Sequence, residues 1–266
     1  MLAAIGLAAF MWMFPQPAVP VSAPTAVEAG PAIFVIRDHD TTVYLFGTFH
    51  VLSPDLKWFN GPVEQAFADS DELIVETLPA EQKIPVGSLP PAAARITPAA
   101  SFLNSAQDAL RAGQSQGMVL TNGADMVLLR AAADEGKLIE PLETLESQFA
   151  MIANVPSEPL ASAACSGIEC GNAAADLGAA MVELQGAWAN GDHGLFTAVL
   201  GEMQTTTPDA YRILFVERNA RWSNWVAGRM GQPGTAFVAI GSAHLAGEDS
   251  LLVRLAQRGL ISRRLH

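Results

Sequence analysis

Cysteine is nearly absent: Cys165 and Cys170 are the two in 266 residues. Half of a zinc site would need a second Cys or His pair nearby, and none accompanies them. Neither thiol has a histidine partner in sequence, which argues against a catalytic cysteine. The segment ACSGIECG is left as a local disulfide loop, in keeping with an oxidising compartment. Basic residues are also scarce, 15 against 27 acids, for a formal net charge of −12. That balance excludes nucleic acid as the main partner and disfavours docking on anionic lipid, because both draw on clustered Lys and Arg. The acidity is read as a solubility device. Long apolar runs are missing too. Met1 to Phe14 is uninterrupted and apolar, short of the roughly 20 residues of a spanning helix but suited to the core of a signal peptide. No Lys or Arg precedes this run and no Cys follows its end. The first leaves an uncleaved anchor open, tethering the chain to a membrane through residues 1–14, and the second argues against a lipoprotein. A Pro/Ala/Val-rich stretch with small residues at Val21-Ser22-Ala23 and Pro24-Thr25-Ala26 follows. The expectation is a leader over residues 1–30, an exported, periplasmic protein, and one domain over residues 31–266.

What is present is apolar: 50% hydrophobic against 16% charged, enough for a large core. Ala32–Ile36 and Thr42–Phe46 read as strands around the turn Asp38-His39-Asp40. Leu52-Ser53-Pro54-Asp55 reads as a helix start that continues through Val63–Ala68, and Leu73–Val75 as a third strand. Strand, helix, strand is the order of a βαβ unit. Residues 79–100, rich in proline, read as a loop or insertion. Helices are expected at Ala99–Ala112, Ala124–Glu135, Glu146–Ile152, Ala173–Asn190, His193–Gln204 and Pro208–Met230. Lys137–Glu140 and Ala236–Ile240 are further strands, and Glu248–Arg258 closes the chain as a helix. The fold class that follows is α/β: a mixed, mainly parallel sheet flanked by helices, with a helical insertion in the middle of the chain.

One pattern occurs twice. Val43-Tyr-Leu-Phe-Gly-Thr-Phe-His50 and Phe237-Val-Ala-Ile-Gly-Ser-Ala-His244 are both four-residue apolar strands followed by Gly, a hydroxyl residue, one further residue and His. In parallel α/β sheets ligands gather beyond the carboxyl ends of strands. A glycine there permits close backbone approach, and a histidine three residues on can enter the crevice as a neutral metal ligand. The hydroxyls of Thr48 and Ser242 can orient those histidines. Glu76 and Glu143 end two other strands, where a carboxylate can ligate metal or act as a base on bound water. Asp55 and Asp249 are read as helix-start charges. Trp222 and Trp225 are read as core, and His39, His193 and His266 receive no role.

The strand with GTFH, the strand-end Glu of LIVET, LETLESQ and FVAIGSAHLAGEDSLLVRLAQRGL together resemble the TraB/GumN family over about residues 32–265. That family is related to the Tiki metalloproteases and, more distantly, to haem-binding ChaN-like and erythromycin-esterase-like proteins. The resemblance implies an α/β fold and a divalent metal (Mn, Co or Zn) held by His50, Glu76 and His244. It further implies a hydrolase, most naturally a peptidase, acting on a peptide or small-molecule substrate, with Glu76 as ligand or base. Gly123-Ala124-Asp125, Glu143-Thr144 and Glu217-Arg218-Asn219-Ala220-Arg221-Trp222 resemble further signatures of the family. Arg218 suits an oxyanion or carboxylate of the substrate. The Pro/Ala-rich 79–100 region departs from the usual pattern. A binding protein of the same fold, holding haem or a peptide without turnover, is the competing expectation.

Overall fold

Short β-branched and aromatic runs bounded by turn residues build the centre of the molecule. The computed structural model describes residues 27–28, 30–78, 98–156 and 173–266. Residues 1–26 and 29 of the expected leader, most of the proline-rich 79–100 region and both cysteines lie outside them. In the first part come β1 (Val27–Glu28), β2 (Ile33–Arg37), β3 (Thr41–Thr48), β4 (Leu56–Lys57), α1 (Gly61–Ala68) and β5 (Glu72–Val75). Then follow α2 (Pro98–Ser115), α3 (Ala124–Glu135), β6 (Leu138–Pro141), α4 (Leu145–Ala153), α5 (Ala173–Ala189) and α6 (Gly194–Thr206). The chain ends with α7 (Pro208–Tyr211), α8 (Glu217–Arg229), β7 (Gly234–Gly241), α9 (Leu251–Ala256) and β8 (Arg263–Arg264).

The main sheet has six strands in the order β6-β5-β7-β3-β2-β8. β6, β5, β7 and β3 run parallel, while β2 is antiparallel to both β3 and β8. This is the mixed, mainly parallel α/β sheet expected from the sequence. β1 and β4 pair separately.

Side chains alternate across the sheet, so each strand feeds two cores. On one face lie Tyr44, Phe46, Val75, Phe237 and Ala239, covered by α1, α2, α3, α5 and α6. On the other lie Val43, Leu45, Ile74, Val238 and Ile240, covered by Trp222 and Val226 of α8 and Leu251 and Leu255 of α9. Burying Phe46 or Phe237 completely, as here, contributes roughly 2–3 kcal/mol each. Among the described residues no helix is long and apolar enough to cross a membrane.

Two local expectations are corrected. Ser53 to Asp55 do not begin a helix: a turn leads into β4, and α1 starts only after Asn60, with Pro62 in its first turn. Pro54 biases Ser53 away from helical geometry, and the pairing of Leu56 with β1 draws the turn into a strand. The long helix expected from Pro208 is interrupted by a π-helical turn at Arg212–Val216 before α8 begins. Such turns recur at functional sites, and one residue within this turn, Phe215, and one just after it, Arg218, reach His244.

Candidate active site

Because β3, β5, β6 and β7 are parallel, their carboxyl ends share one edge of the sheet. The structure therefore brings four predicted residues to that edge: His50 beyond β3, Glu76 beyond β5, Glu143 beyond β6 and His244 beyond β7. Neither motif glycine is there for a positive φ. A Cβ on Gly47 would lie 2.7 Å from Ser242 Oγ, and one on Gly241 would lie 3.1 Å from Glu76 Oε1. Each permits a close approach that any side chain would obstruct. The Ser242 hydroxyl, expected to orient a histidine, serves another purpose: Oγ donates to the Thr48 backbone carbonyl at 3.0 Å and ties the two loops together.

Arg218 is the hub. Its side chain is 8% exposed. Nη2 donates to Glu76 Oε2 at 2.6 Å and Nε to Glu143 Oε2 at 3.0 Å. Nη1 lies 3.0 Å from His244 Nε2. Arg221 adds a second bond to Glu143, 3.0 Å from Oε1. Two carboxylates thus face two guanidinium groups, and the planar fork of Arg218 spans partners that a lysine could not span together.

The tautomer of His244 follows from its neighbours. Asn219 Nδ2 donates to the Asp249 carbonyl at 2.8 Å, so Asn219 Oδ1 must be the atom 2.7 Å from His244 Nδ1. Nδ1 then carries the proton, and Nε2 accepts from Arg218. The ring lies between Phe215 and Trp222, with centroids 5.0 and 4.4 Å away, and the Arg218 guanidinium stacks on Trp222 at 4.5 Å. Burial, reinforced by the Arg218 charge, pushes the His244 pKa down to about 3 despite the pull of Glu76; the ring is neutral. Burial by itself would raise Glu76. The Arg218 guanidinium, the two histidines and the Gly241 N–H at 2.6 Å outweigh it and hold the carboxyl at about 2.

His50 is different. Its side chain is 60% exposed, and Nδ1 lies 3.2 Å from Asp125 Oδ1. The hydrogen bond to Asp125, helped by the charges of Asp125 and Glu76, raises its pKa above the ordinary value against the effect of desolvation. The loop is set by α3, whose Ala124 N–H donates to the Phe49 carbonyl at 2.9 Å. Gly123 packs so tightly under the His50 carbonyl that no Cβ would fit. His50, Glu76 and Asp125 all line a cavity of about 660 Å³. His244, Arg218 and Glu143 are not among its lining residues.

The three expected metal ligands do not converge on one point in this arrangement. His244 Nε2 is 3.9 Å from Glu76 Oε1, and Arg218 is bonded to both residues, while His50 is turned to Asp125. Among the described residues the one group of three ligand-type side chains within 4.8 Å of one another is the exposed Asp38-His39-Asp40 turn. That turn is at the opposite end of β3, and exposed acidic turns are common without an ion.

A family model described as TraB/PrgY/gumN matches residues 32–88 and 83–264. The chain belongs to the TraB/PrgY/gumN family. No curated protein and no solved structure matches it. Within this TraB/PrgY/gumN chain, His50, Glu76, Glu143, Arg218 and His244 are legible in the sequence, but as metal ligands, a base or a substrate contact, not as partners of one another or of Asp125 and Asn219. Asp125 and Asn219 were visible only as parts of longer signatures. A usable signal existed for Asn219: Arg218, Asn219 and Trp222 share one face of α8 by helical spacing. For Asp125 no such signal exists, because its partner is 75 residues away. Asp249, read as a helix-start charge, instead pairs with Arg254 at 2.6 Å and accepts from Tyr211, while Ser250 caps α9.

Proposed function

We propose that this chain is a hydrolase, acting on the amide or ester bond of a substrate held in the 660 Å³ cavity. The observation that carries the reading is the His50–Asp125 pair opening onto that cavity together with an anionic Glu76. Asp125 accepts from Nδ1–H of His50 and leaves the Nε2 lone pair free to take a proton from water. The hydroxide so formed attacks the substrate carbonyl, and the proton on His50 passes to the leaving group as the tetrahedral intermediate collapses. Asp125 and Glu76 both stabilise the imidazolium that forms in between. Arg218 acts at one remove, fixing Glu76 as an anion.

A divalent ion, Mn, Co or Zn, is the expectation drawn from the family resemblance, and bound near His50 and Glu76 it would acidify water. The site as arranged presents no three-ligand set: Arg218 already takes the His244 lone pair and neutralises Glu76. The steps above are accordingly written with protein groups. Export through the N-terminal segment belongs to the same proposal and is checked by cell fractionation.

The test is mass-spectrometric detection of cleavage in a peptide library and an ester panel. His50→Ala should lose roughly a hundredfold or more, with circular dichroism unchanged. Full activity in that variant would sink the reading. Activity lost on chelation and restored by one metal would return the metal to the site. One observation favours the alternative of binding without turnover: the helices give the cavity a mainly apolar wall. A Soret band on haem titration, with no cleavage of any library, would establish that alternative.

A further inference from the structure

The cavity has two kinds of wall. Its polar groups, His50, Glu76 and Thr77 from the strand ends with Asp125 and Gln148 from α3 and α4, lie opposite a helical lining of Ala109, Leu110, Met126, Leu129, Met181 and Phe196. The helical contributors come from four separate elements, α2, α3, α5 and α6. A space of 660 Å³ lies within the range that encloses most of a ligand of drug-like size. Two methionines give the apolar wall a capacity to adapt to the ligand's shape.

Charge narrows the class further. Two carboxylates, Glu76 and Asp125, line the space, and among the described residues no lysine or arginine does. Arg218 is spent on Glu76, Glu143 and His244. His50 is already paired with Asp125. A carboxylate entering here would give up its hydration and meet two carboxylates whose cationic partners, Arg218 and His50, are already engaged with them.

We propose that the cavity takes an uncharged acyl compound, an amide or ester whose apolar acyl chain lies along the helical wall with its carbonyl at His50, and that it rejects free carboxylates. The orientation of the carbonyl rests on the hydrolytic reading. The match of apolar arm to helical wall does not, so the two can fail separately.

Displacement of Nile red from the full chain by primary amides from butyramide to lauramide, and by the matching fatty acids at neutral pH, tests the class. Each added methylene should tighten amide binding about fourfold until the cavity is full. The fatty acids should bind roughly tenfold more weakly than amides of equal length. Ala109→Trp should move the plateau to shorter chains, and Met126→Trp on α3 reads the same plateau if the first variant does not fold. Affinity that ignores chain length, acids that bind as tightly as amides, or a plateau unmoved in a folded Trp variant would overturn the proposal. A normal chain-length series with no hydrolysis of any acyl ester or amide would instead retire the catalytic reading and leave the ligand class standing.

Discussion

His50 and His244 end the same eight-residue pattern, yet one side chain is 60% exposed and the other 4%. Their pKa values move in opposite directions, above the ordinary value for His50 and down to about 3 for His244. The cause lies in the pairing of β3 with β7. Matched by motif, Val43 corresponds to Phe237 and Gly47 to Gly241. Matched by hydrogen bonding, Val43 pairs with Ala236 and Thr48 with Gly241. The stagger is one residue, and a one-residue shift sends equivalent side chains to opposite faces. Val43 and Phe237 accordingly belong to different cores, as do Phe46 and Ile240. One histidine is delivered toward the helices that wall the cavity, and the other is locked beneath α8. Sequence similarity between the loops therefore does not make them a symmetric pair of ligands.

The largest expected effect attacks the locked side. Arg218→Met leaves Glu76 and Glu143 buried without their shared cation, and should cost roughly 3–5 kcal/mol in urea unfolding. Arg218→Lys should recover only part of it, since one ammonium cannot bridge three partners. A loss as small as that of a surface substitution would show that the network is not what holds this edge together.

Next comes the direct comparison of the two histidines. His244→Ala opens a void between Phe215 and Trp222 and should cost about 3 kcal/mol, whereas His50→Ala should change stability by no more than about 0.5 kcal/mol. Equal costs, measured by the same denaturation, would erase the distinction between a structural and a chemical histidine.

A third measurement uses acid. His244 and Glu76 both bind protons less readily folded than unfolded, with folded values of about 3 and about 2 against 6.5 and 4.5. Their contribution is complete above about pH 6.5. It should fall as His244 is forced to protonate between 6.5 and 3, and further as Glu76 does between 4.5 and 2. Urea midpoints that stay constant from neutrality to pH 4 would contradict the buried, neutral state of His244.

The smallest effect sharpens the exposed side. If neutral His50 is the base, activity rises with pH through its elevated pKa. Asp125→Asn removes the group that raises it, so the acid limb of kcat/KM should move to lower pH and the plateau should drop roughly tenfold. An unmoved limb would mean that some group other than His50 is titrating.

Much of this was legible before any coordinates. Strands β2, β3, β5 and β7 announce themselves through short β-branched and aromatic runs, β6 only through the apolar pair Leu138-Ile139, and the site residues through their place at strand ends. The stretch at Ser53 to Asp55 is ambiguous in sequence because Pro and Asp signal helix starts and turns alike, and pairing with β1 decides between them. The π turn before α8 left no trace in a run whose composition suits an uninterrupted helix.

By itself the sequence determined the α/β class, the family and the identity of His50, Glu76, Glu143, Arg218 and His244, because these depend on local periodicity and on motifs within a few residues. Tertiary structure alone decided which histidine is buried, that Arg218 binds Glu76, Glu143 and His244 together, and that Asp125 and Asn219 are the partners of the two rings. Those outcomes turn on the register between strands almost 200 residues apart and on helices packed against them. Neither is encoded in any short stretch of the chain.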